Sequence, residues 1–309
     1  MKTVKAYAPA SIGNIGPGFD VLAMAVTGIG DTVKAEKIKD KEVRIKEIKG
    51  DDGSIPIDAD RNTAGIAANE ILRMVKAKQG VELTIQKNIP GTGLGGSAAS
   101  AVAAAVAVNA LFGNRLTPQE LIGPCGEAEK SVSTGMFIDN LATSIYGGVV
   151  VTHAADRKAI SIGTIPDMTV IIVTPDHSVL TKISRAVLPD KVHMDLVVSN
   201  MASTALMVAA VAQKDARLFG GSIQDLIIEP ARAHLIPGFQ DVKAAALKAG
   251  ALGSSISGAG ASVFAVTDKK TYARRIGQAM QKVFKDHGIF SSTHICKIDK
   301  HGSRVTSRR

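Results

Sequence analysis

The part of the sequence with the most evident chemistry is the stretch PGTGLGGSAAS, residues 90–100. Gly91, Gly93 and Gly96 form the GxGxxG pattern of dinucleotide-binding loops, and Gly91 and Gly96 also occupy the two glycine positions of a P-loop. Ser97 stands where a P-loop carries its lysine. The glycines lead into a helix-forming segment, whose first N–H groups are unpaired and attract anions, and they let the backbone approach a ligand closely. We therefore expect a phosphate-binding loop here rather than a simple turn.

The elements around this loop decide between the two familiar patterns. The alternating residues 81–90 predict a strand before the loop, and small apolar residues predict a helix from about Ser97 to Phe112 after it. A dinucleotide-binding unit would continue with a second strand that ends in an acidic residue, but the segment from Thr117 predicts another helix with Thr117 as its cap. The dinucleotide interpretation is therefore disfavoured. Without the P-loop lysine, the cation that meets the phosphates must be a bound metal or come from another part of the chain.

Two further local patterns lie upstream of the loop. Residues 31–38 and 41–48 alternate between polar and apolar side chains, which predicts two half-buried strands, and the polar residues 39–41 between them predict a hairpin turn. Residues 60–77 predict an amphipathic helix that is capped by Asp60 or Asn62.

Composition limits the classes of protein that this chain can be. Its 309 residues, 45% hydrophobic and 21% charged, are typical of a globular protein of two domains, and we place the boundary so that the domains span residues 1–160 and 161–309. The net charge of +9 comes with no Trp and only 4% aromatic residues, which fits small anionic substrates better than nucleic acid. The chain has no signal-peptide pattern, its longest apolar run is short for a membrane span, and its two cysteines suit a reducing compartment. We expect a soluble cytoplasmic protein with neither nucleic-acid nor membrane partners.

Three motifs in order along the chain give a more specific indication. The loop itself resembles the PxxxGLGSSAA signature of the superfamily of galactokinase, homoserine kinase, mevalonate kinase and phosphomevalonate kinase, known as the GHMP kinases. APASIGNIGPGFDVL, residues 8–22, resembles the N-terminal substrate motif of this superfamily, and SISGAGASVFAV, residues 255–266, resembles its C-terminal glycine motif. Within the superfamily, the segments FIDNLATSIYGG, TKISRAVLP, EPARAHLIPGF and HICKID resemble those of the homoserine kinase branch.

The resemblance implies a fold, an activity and a set of ligands. It implies an α+β fold of two domains, the first like domain 2 of ribosomal protein S5 and the second ferredoxin-like. It implies transfer of a phosphoryl group from ATP, with Mg²⁺, to the side-chain hydroxyl of L-homoserine, a step of threonine biosynthesis, in a cytoplasmic enzyme that forms a homodimer. Such a transfer requires charge neutralisation and in-line placement of the hydroxyl.

The same resemblance carries roles to individual residues. Mg²⁺ is expected on Ser97 and Glu129. Catalysis is assigned to Asn140, which contacts the reacting hydroxyl, together with Glu129 and Thr181. Asp139 is either a general base or, more in keeping with the homoserine kinase branch, a structural residue. The residues assigned to bind homoserine are Asn14 and Asp20 on the ammonium side, Arg185 and Arg232 on the carboxylate, and Asn140. The residues assigned to ATP are Asn62, Pro90, Gly91, Thr92, Gly93, Leu94, Gly95, Gly96, Ser97, Ala98 and Ser100.

Four positions depart from the family pattern. Phe137 replaces the His of HxDN, Gly96 replaces the first Ser of the loop, NLAT stands for NVAP, and SGAGAS stands for SGSGPT. These departures leave three alternatives to a homoserine kinase: a mevalonate-type kinase, a shikimate-type kinase, and a ligand-binding relative without turnover. Because both arginines are retained, we expect a substrate with an amino-acid carboxylate.

Overall fold

The protein folds into two β-sheets, in which most strand pairs are antiparallel, and helices pack against both sheets. The computed structural model describes residues 2–131, 135 and 137–308. Within them the order of elements is β1 (Thr3–Gly13), β2 (Leu22–Ile38), β3 (Val43–Lys49), α1 (Thr63–Met74), β4 (Gly80–Gln86), α2 (Gly96–Leu111), α3 (Pro118–Lys130), α4 (Asp139–Tyr146), β5 (Val149–His153), β6 (Lys158–Gly163), β7 (Thr169–Pro175), α5 (Thr181–Ala186), α6 (Met194–Gln213), α7 (Ala216–Gly221), α8 (Ile228–Arg232), α9 (Phe239–Lys248), β8 (Gly253–Ile256), β9 (Val263–Thr267), α10 (Ala273–Asp286), β10 (Ser291–Cys296) and β11 (Arg304–Arg308).

The first sheet has seven strands and surrounds a helix of small residues. Its strands run in the order β11-β1-β2-β4-β3, and β5 pairs with β2 and with β6. Helix α2 packs against α1, α3, β1 and β2. Its alanines present little bulk on any side, so neighbouring elements approach it closely and nearly all of its residues are buried. The predicted helix after the glycine loop is therefore confirmed as a central helix of this half.

Two local predictions had different outcomes. Asn62 caps α1 by accepting a hydrogen bond from the amide of Ala64 at 2.9 Å, as expected. The predicted hairpin at residues 39–41 is wrong, because β2 and β3 are not paired. Strand β4 lies between them, antiparallel to β2 and parallel to β3. The alternation of each strand fixes which face is buried, but it carries no information about which strand becomes the neighbour.

The second sheet is the ferredoxin-like one that was expected. Its four strands are all antiparallel and run in the order β10-β7-β9-β8, so the last strand lies next to the first. Helices α9 and α10 cover one face through a core that includes Phe239 and Phe284. A second apolar cluster, with Met24, Ile172 and Phe264 among its members, connects the two sheets.

The first sheet contains strands from both halves of the chain. The expected boundary between residues 160 and 161 falls inside β6, which belongs to the first sheet. Strand β11, at the other end of the chain, also returns to the first sheet and pairs with β1. The contacts between the two sheets create the cavity in which the functional residues meet.

Candidate active site

One cavity, of about 870 Å³, collects most of the predicted site residues from both halves of the chain. Those that line it are Asn14, Asp20, Gly91, Thr92, Gly93, Gly95, Gly96, Ser97, Ala98, Glu129, Asn140, Thr181, Arg185 and Arg232. Asp139, Phe137 and the segment from Gly258 to Gly260, all within motifs that the sequence singled out, also line it. Lys87 lines it as well and was not predicted.

The glycine loop is shaped by close contacts with the C-terminal glycine motif. Gly93 has a φ of +88°, and a Cβ there would lie 2.5 Å from the carbonyl oxygen of Ser257. The hydroxyl of Ser257 donates to the carbonyl of Gly93 at 2.6 Å, and the hydroxyl of Thr92 accepts from the amide of Ala261 at 2.9 Å. Thus glycine is required at position 93 by both its backbone conformation and the space available. The two glycine motifs, in contact through Ser257 and Gly93, which are 164 residues apart in sequence, form one structure.

The loop ends at the start of α2, with its amides available to a ligand. Gly95, at the N-cap, has a φ of +66°, and among the described residues no side chain caps this helix. Uncapped N–H groups and the positive end of the helix dipole favour an anion at this point. Gly96 is the first helical residue, and the nearest described atom to a Cβ there would be the Nζ of Lys87 at 3.6 Å, so a Cβ would fit.

Ser97 and Glu129 lie side by side at the cavity, as the predicted metal site requires. Helix α3 starts with a capping box between Thr117 and Glu120 and carries Glu129 in its last turn. The hydroxyl of Ser97 donates to the Glu129 carboxylate at 3.1 Å. Burial is the main cause that raises the pKa of Glu129 to about 7; the hydrogen bond from Ser97 opposes this shift, and the negative charge of Asp139 contributes to it. A cation beside this carboxylate would stabilise its ionised form.

Lys87 places an ammonium group at the cavity, beside the end of the glycine loop. Its ammonium pairs with the buried carboxylate of Asp31, donates to the carbonyl of Gly96 at 2.9 Å and contacts the hydroxyl of Ser100 at 2.8 Å. Sequence reasoning missed this residue. The alternation of the strand could have found it. Lys87 is two residues after Ile85 and four after Leu83, which both face inward from β4, so its side chain is expected on the same inner face.

A second group of charged residues lies on the loop after β1 and on α5 and α8. Arg185 donates to Asp20 at 2.6 Å, and the backbone amide of Asp20 donates to the side chain of Asn14 at 3.1 Å. Asp20 and Asn14 have φ values of +57° and +67°. These conformations are unusual for residues other than glycine, but Asp and Asn tolerate them best.

Arg232 is more deeply buried than Arg185. It donates to the carbonyls of Ser184 and Gly258, both at 3.0 Å. Burial and the nearby charge of Arg185 lower the pKa of Arg232 to about 10, so it remains a cation near neutral pH. Two guanidinium groups in one partly buried place form a strong site for a carboxylate.

Two aromatic rings cover the guanidinium group of Arg185. Its central carbon lies 3.4 Å from the ring centroid of Phe137 and 5.1 Å from that of Phe19. The Nε of Arg185 is buried and has no hydrogen-bond partner among the described residues. A buried donor without a partner is unfavourable, so this atom is available to an acceptor on a ligand.

Asn140 and Asp139 begin α4 beside the glycine loop. The side-chain oxygen of Asn140 accepts from the hydroxyl of Ser11 at 2.8 Å, and its amide group donates to Asp139 at 3.3 Å. Burial is the main cause that raises the pKa of Asp139 to about 6, and the charge of Asp20 adds to it. Thr181 is the exposed first residue of α5.

Four of the residues assigned to ATP do not line the cavity. Asn62 caps α1 and donates to the carbonyl of Pro56 at 2.8 Å. Leu94 and Ser100 are buried, and Ser100 donates to Asp31 at 2.7 Å. Pro90 precedes the loop and is half-buried. These positions support the loop and the helix behind it.

The chain matches known protein families over most of its length. Residues 62–148 match the GHMP kinases N terminal domain, and residues 207–286 match the GHMP kinases C terminal model. A homoserine kinase of Chloroherpeton thalassium is 37% identical over 99% of this chain and 100% of that protein. A homoserine kinase of Arabidopsis thaliana is 41% identical over 99% of this chain and 85% of that protein. The crystal structure of a homoserine kinase from Cytophaga hutchinsonii has a TM-score of 0.94 and 39% identity, and the match covers 99% of this chain and 98% of that one.

Proposed function

The chain belongs to the GHMP kinases, and we propose that it is a homoserine kinase. In this reaction the γ-phosphoryl group of ATP passes to the side-chain hydroxyl of L-homoserine, and O-phospho-L-homoserine and ADP are released. The product would serve threonine biosynthesis. The observation that carries the proposal is that a single cavity is lined by the glycine loop with its Ser97–Glu129 pair and also by Asp20, Arg185 and Arg232. Groups suited to polyphosphate and groups suited to an amino acid therefore face the same space.

The ATP side of the proposal rests on the glycine loop. The uncapped amides at the start of α2 would bind phosphate oxygens, and Lys87 places a positive charge next to Gly96. Ser97 and Glu129 would hold Mg²⁺, because a hydroxyl and a carboxylate are ligands that this ion prefers. No cluster of three His, Cys, Asp or Glu side chains suited to a metal occurs in the described part of the chain, and Mg²⁺ characteristically takes its other ligands from phosphate and water. When bound, the ion neutralises the charge that develops on the transferring phosphoryl group.

The homoserine side rests on complementary charge. The α-carboxylate would bind Arg185 and Arg232, and one of its oxygens would accept from the Nε of Arg185, which has no partner within the described part of the chain. The ammonium would bind Asp20, which Asn14 orients through the backbone. Asn140 would bind the reacting hydroxyl, and Thr181 would contact the transferring phosphate. This arrangement places the hydroxyl by binding both ends of the amino acid, which is the main contribution that a phosphotransferase makes.

We also propose that the enzyme is a cytoplasmic homodimer that pairs through α6. Met194, Val198 and Met201 follow one side of this helix at spacings of four and three residues, and they are 71%, 57% and 66% exposed. From Leu196 to Gln213 the helix carries no charged residue, whereas the chain as a whole has a net charge of +9. Two copies would repel each other least at such a face. Helix α6 is also the one helix in the described residues that is long and apolar enough to cross a membrane, and 22% of its most apolar window is buried.

A coupled assay of ADP release tests the proposed activity. We expect turnover with L-homoserine and none with mevalonate or shikimate, and we expect Glu129→Ala to abolish it while ATP binding without Mg²⁺ persists. Turnover with mevalonate or shikimate instead of homoserine would assign the chain to another branch of the family. Nucleotide binding without ADP release for any of the three substrates would identify a relative that binds ligands without turnover.

A further inference from the structure

The helix that carries Arg232 is too short to be stable by itself. Helix α8 has five residues, whereas isolated helices shorter than about 12 residues are marginal in water. Arg232 is its last residue and donates to the carbonyls of Ser184 and Gly258, both at 3.0 Å. These bonds use the Nε and one Nη of the guanidinium group. The direction of its remaining N–H groups therefore depends on where the backbone of α8 is held.

Asp225 holds the beginning of this helix. One of its carboxylate oxygens accepts from the backbone amides of Ile227 and Ile228, both at 2.9 Å, and the other accepts from the amide of Glu229 at 2.8 Å. The side-chain amide of Asn200, on α6, also donates to Asp225 at 2.9 Å. Asp225 is 6% exposed, so N–H groups of the protein satisfy this carboxylate in place of water.

Glu229 connects the same helix to two other elements. Its carboxylate pairs with Lys243 of α9 and accepts from the hydroxyl of Ser255, on β8, at 2.6 Å. Glu229 is buried, and burial of a carboxylate is unfavourable unless the group is paired and hydrogen-bonded. Asp225 and Glu229 together attach α8 to α6, α9 and β8.

We propose that Asp225 and Glu229 are positioning residues for Arg232, an inference that rests on the proposed function. Neither of them lines the cavity, so neither would touch a substrate. They act through α8, because they fix the backbone that carries Arg232 and, with it, the N–H groups that face the cavity. A displacement of about 1 Å in a group that places a substrate can reduce the rate about 100-fold. Loss of either carboxylate should therefore impair the use of homoserine far more than the use of ATP.

The test measures the kinetics of Asp225→Asn and Glu229→Gln, which keep the size of each side chain. Asn turns a donor group toward the backbone amides, and Gln places a donor group against Lys243. We expect the KM for homoserine to rise about tenfold or more, while the KM for ATP changes less than about twofold. A loss of stability alone would lower the amount of active enzyme and leave both KM values unchanged.

Asp215→Asn is the matched control. Asp215 caps the short helix α7 through backbone amides at 2.9 and 3.0 Å, in the way that Asp225 caps α8, but α7 carries no residue of the cavity. Both KM values should stay unchanged in this variant. A rise in the KM for homoserine as large as in Asp225→Asn would overturn the inference. If Asp225→Asn does not fold, as measured by thermal unfolding, Glu229→Gln provides the same comparison.

A double-mutant cycle tests whether the two carboxylates act through Arg232. In an Arg232→Ala background, Asp225→Asn and Glu229→Gln should each lower kcat/KM for homoserine by less than a further factor of about two, because the group that they position is absent. Equal reductions with and without the Arg232 side chain would overturn the inference.

A measurement without substrate separates this inference from the proposed function. The Nε–H of Arg232 gives an NMR signal that Arg232→Ala removes, and its exchange with water is slow while it bonds to the carbonyl of Ser184. We expect roughly tenfold faster exchange in Asp225→Asn and Glu229→Gln and no change in Asp215→Asn. If exchange responds in this way but homoserine is not phosphorylated, the proposed function fails while the positioning role stands. If homoserine is phosphorylated but exchange and KM are the same in all variants, only the positioning role fails.

Discussion

The ammonium of Lys87 donates a hydrogen bond of 2.9 Å to the carbonyl oxygen of Gly96, the first residue of the helix that follows the glycine loop. Lys87 also pairs with Asp31, which is fully buried. The end of β4, the buried part of β2 and the start of α2 are thereby connected through a single charged side chain. This contact positions the end of the glycine loop.

Lys87→Met should destabilise the protein and weaken ATP binding. It leaves the buried Asp31 without its cation, which typically costs about 3–5 kcal/mol of unfolding free energy. Urea denaturation measures this loss, and the KM for ATP should rise in parallel. Lys34→Met is the matched control, because Lys34 forms an exposed pair with Glu36 on the same sheet and should cost less than about 1 kcal/mol. Equal losses in the two variants would contradict the positioning role of Lys87.

Glu129 should make the use of Mg²⁺ depend on pH. Its pKa is raised to about 7 by burial, and a metal ligand must be deprotonated. Below pH 7 the ionised fraction falls about tenfold per pH unit, so the Mg²⁺ concentration needed for half-maximal activity should rise by about that factor and level off above pH 7. Titrations of Mg²⁺ between pH 5.5 and 8.5 measure this dependence, with enzyme stability monitored at each pH. A requirement that does not change with pH would rule out Glu129 as the ligand.

The same carboxyl group should make the metal-free protein less stable as the pH rises, although a higher pH favours the use of Mg²⁺. Its pKa in the folded state lies above the ordinary value of 4.5, so the folded protein retains a proton that the unfolded chain releases. The stabilisation from this group is complete below pH 4.5 and is lost as the pH rises through about 7. Glu129→Gln should therefore be more stable than the unchanged protein at pH 8, as measured by thermal unfolding without Mg²⁺.

Phe137 should affect the binding of homoserine more than turnover. Its ring lies 3.4 Å from the guanidinium carbon of Arg185, and a cation over an aromatic ring gains about 0.5–2 kcal/mol. Phe137→Leu should raise the KM for homoserine about three- to tenfold with kcat little changed, and Phe137→Tyr should restore it. Tyr272→Leu removes a comparable contact with Arg275, 4.2 Å away and outside the cavity, and should leave the KM unchanged. A lower kcat with an unchanged KM would argue against this role.

Replacement by Ser should be tolerated at Gly96 and should strongly reduce activity at Gly93, although both glycines lie in one loop. Gly96→Ser adds a side chain where the nearest atom is 3.6 Å from the Cβ, and the variant should keep its activity within about threefold, since Ser is tolerated at the first turn of a helix. Gly93→Ser forces a side chain to within 2.5 Å of the Ser257 carbonyl at a φ of +88°, and activity should fall roughly 100-fold or more. Steady-state kinetics with ATP as the varied substrate would distinguish the two. Loss of activity in Gly96→Ser would show that the departure from the family pattern is required.

The proposed dimer through α6 can be tested with two substitutions on one helix. Met201 is 66% exposed within the apolar series, and Ser199 lies on the opposite side because successive residues are rotated by about 100°. Met201→Glu should raise the dissociation constant of the dimer about 100-fold, since it buries a charge in the interface, while Ser199→Glu should leave it unchanged. Sedimentation velocity over a range of concentrations measures both. A protein that sediments as a monomer at every concentration, or equal effects of the two substitutions, would contradict the proposed interface.

Local features of the chain were predictable because their causes are local. Asn62 caps α1 through a hydrogen bond to a residue two positions away, and alanine content alone indicated that α2 could be central. The pairing of strands was not predictable in the same way. Strand β4 inserts between β2 and β3, and β11 adds to the sheet next to β1, because a strand's alternation defines its faces and not its neighbours.

The sequence by itself determined the family, the glycine loop that leads into a helix, and the residue types available to the site, since these are written in short motifs. The tertiary structure alone decided how those residues meet. Arg185 pairs with Asp20, 165 positions away, and the glycine motif at Ser257 closes over Gly93. Lys87 became part of the site only through the packing of β4 beneath α2. Such contacts depend on how the two sheets pack against each other, and no spacing along the chain specifies that packing.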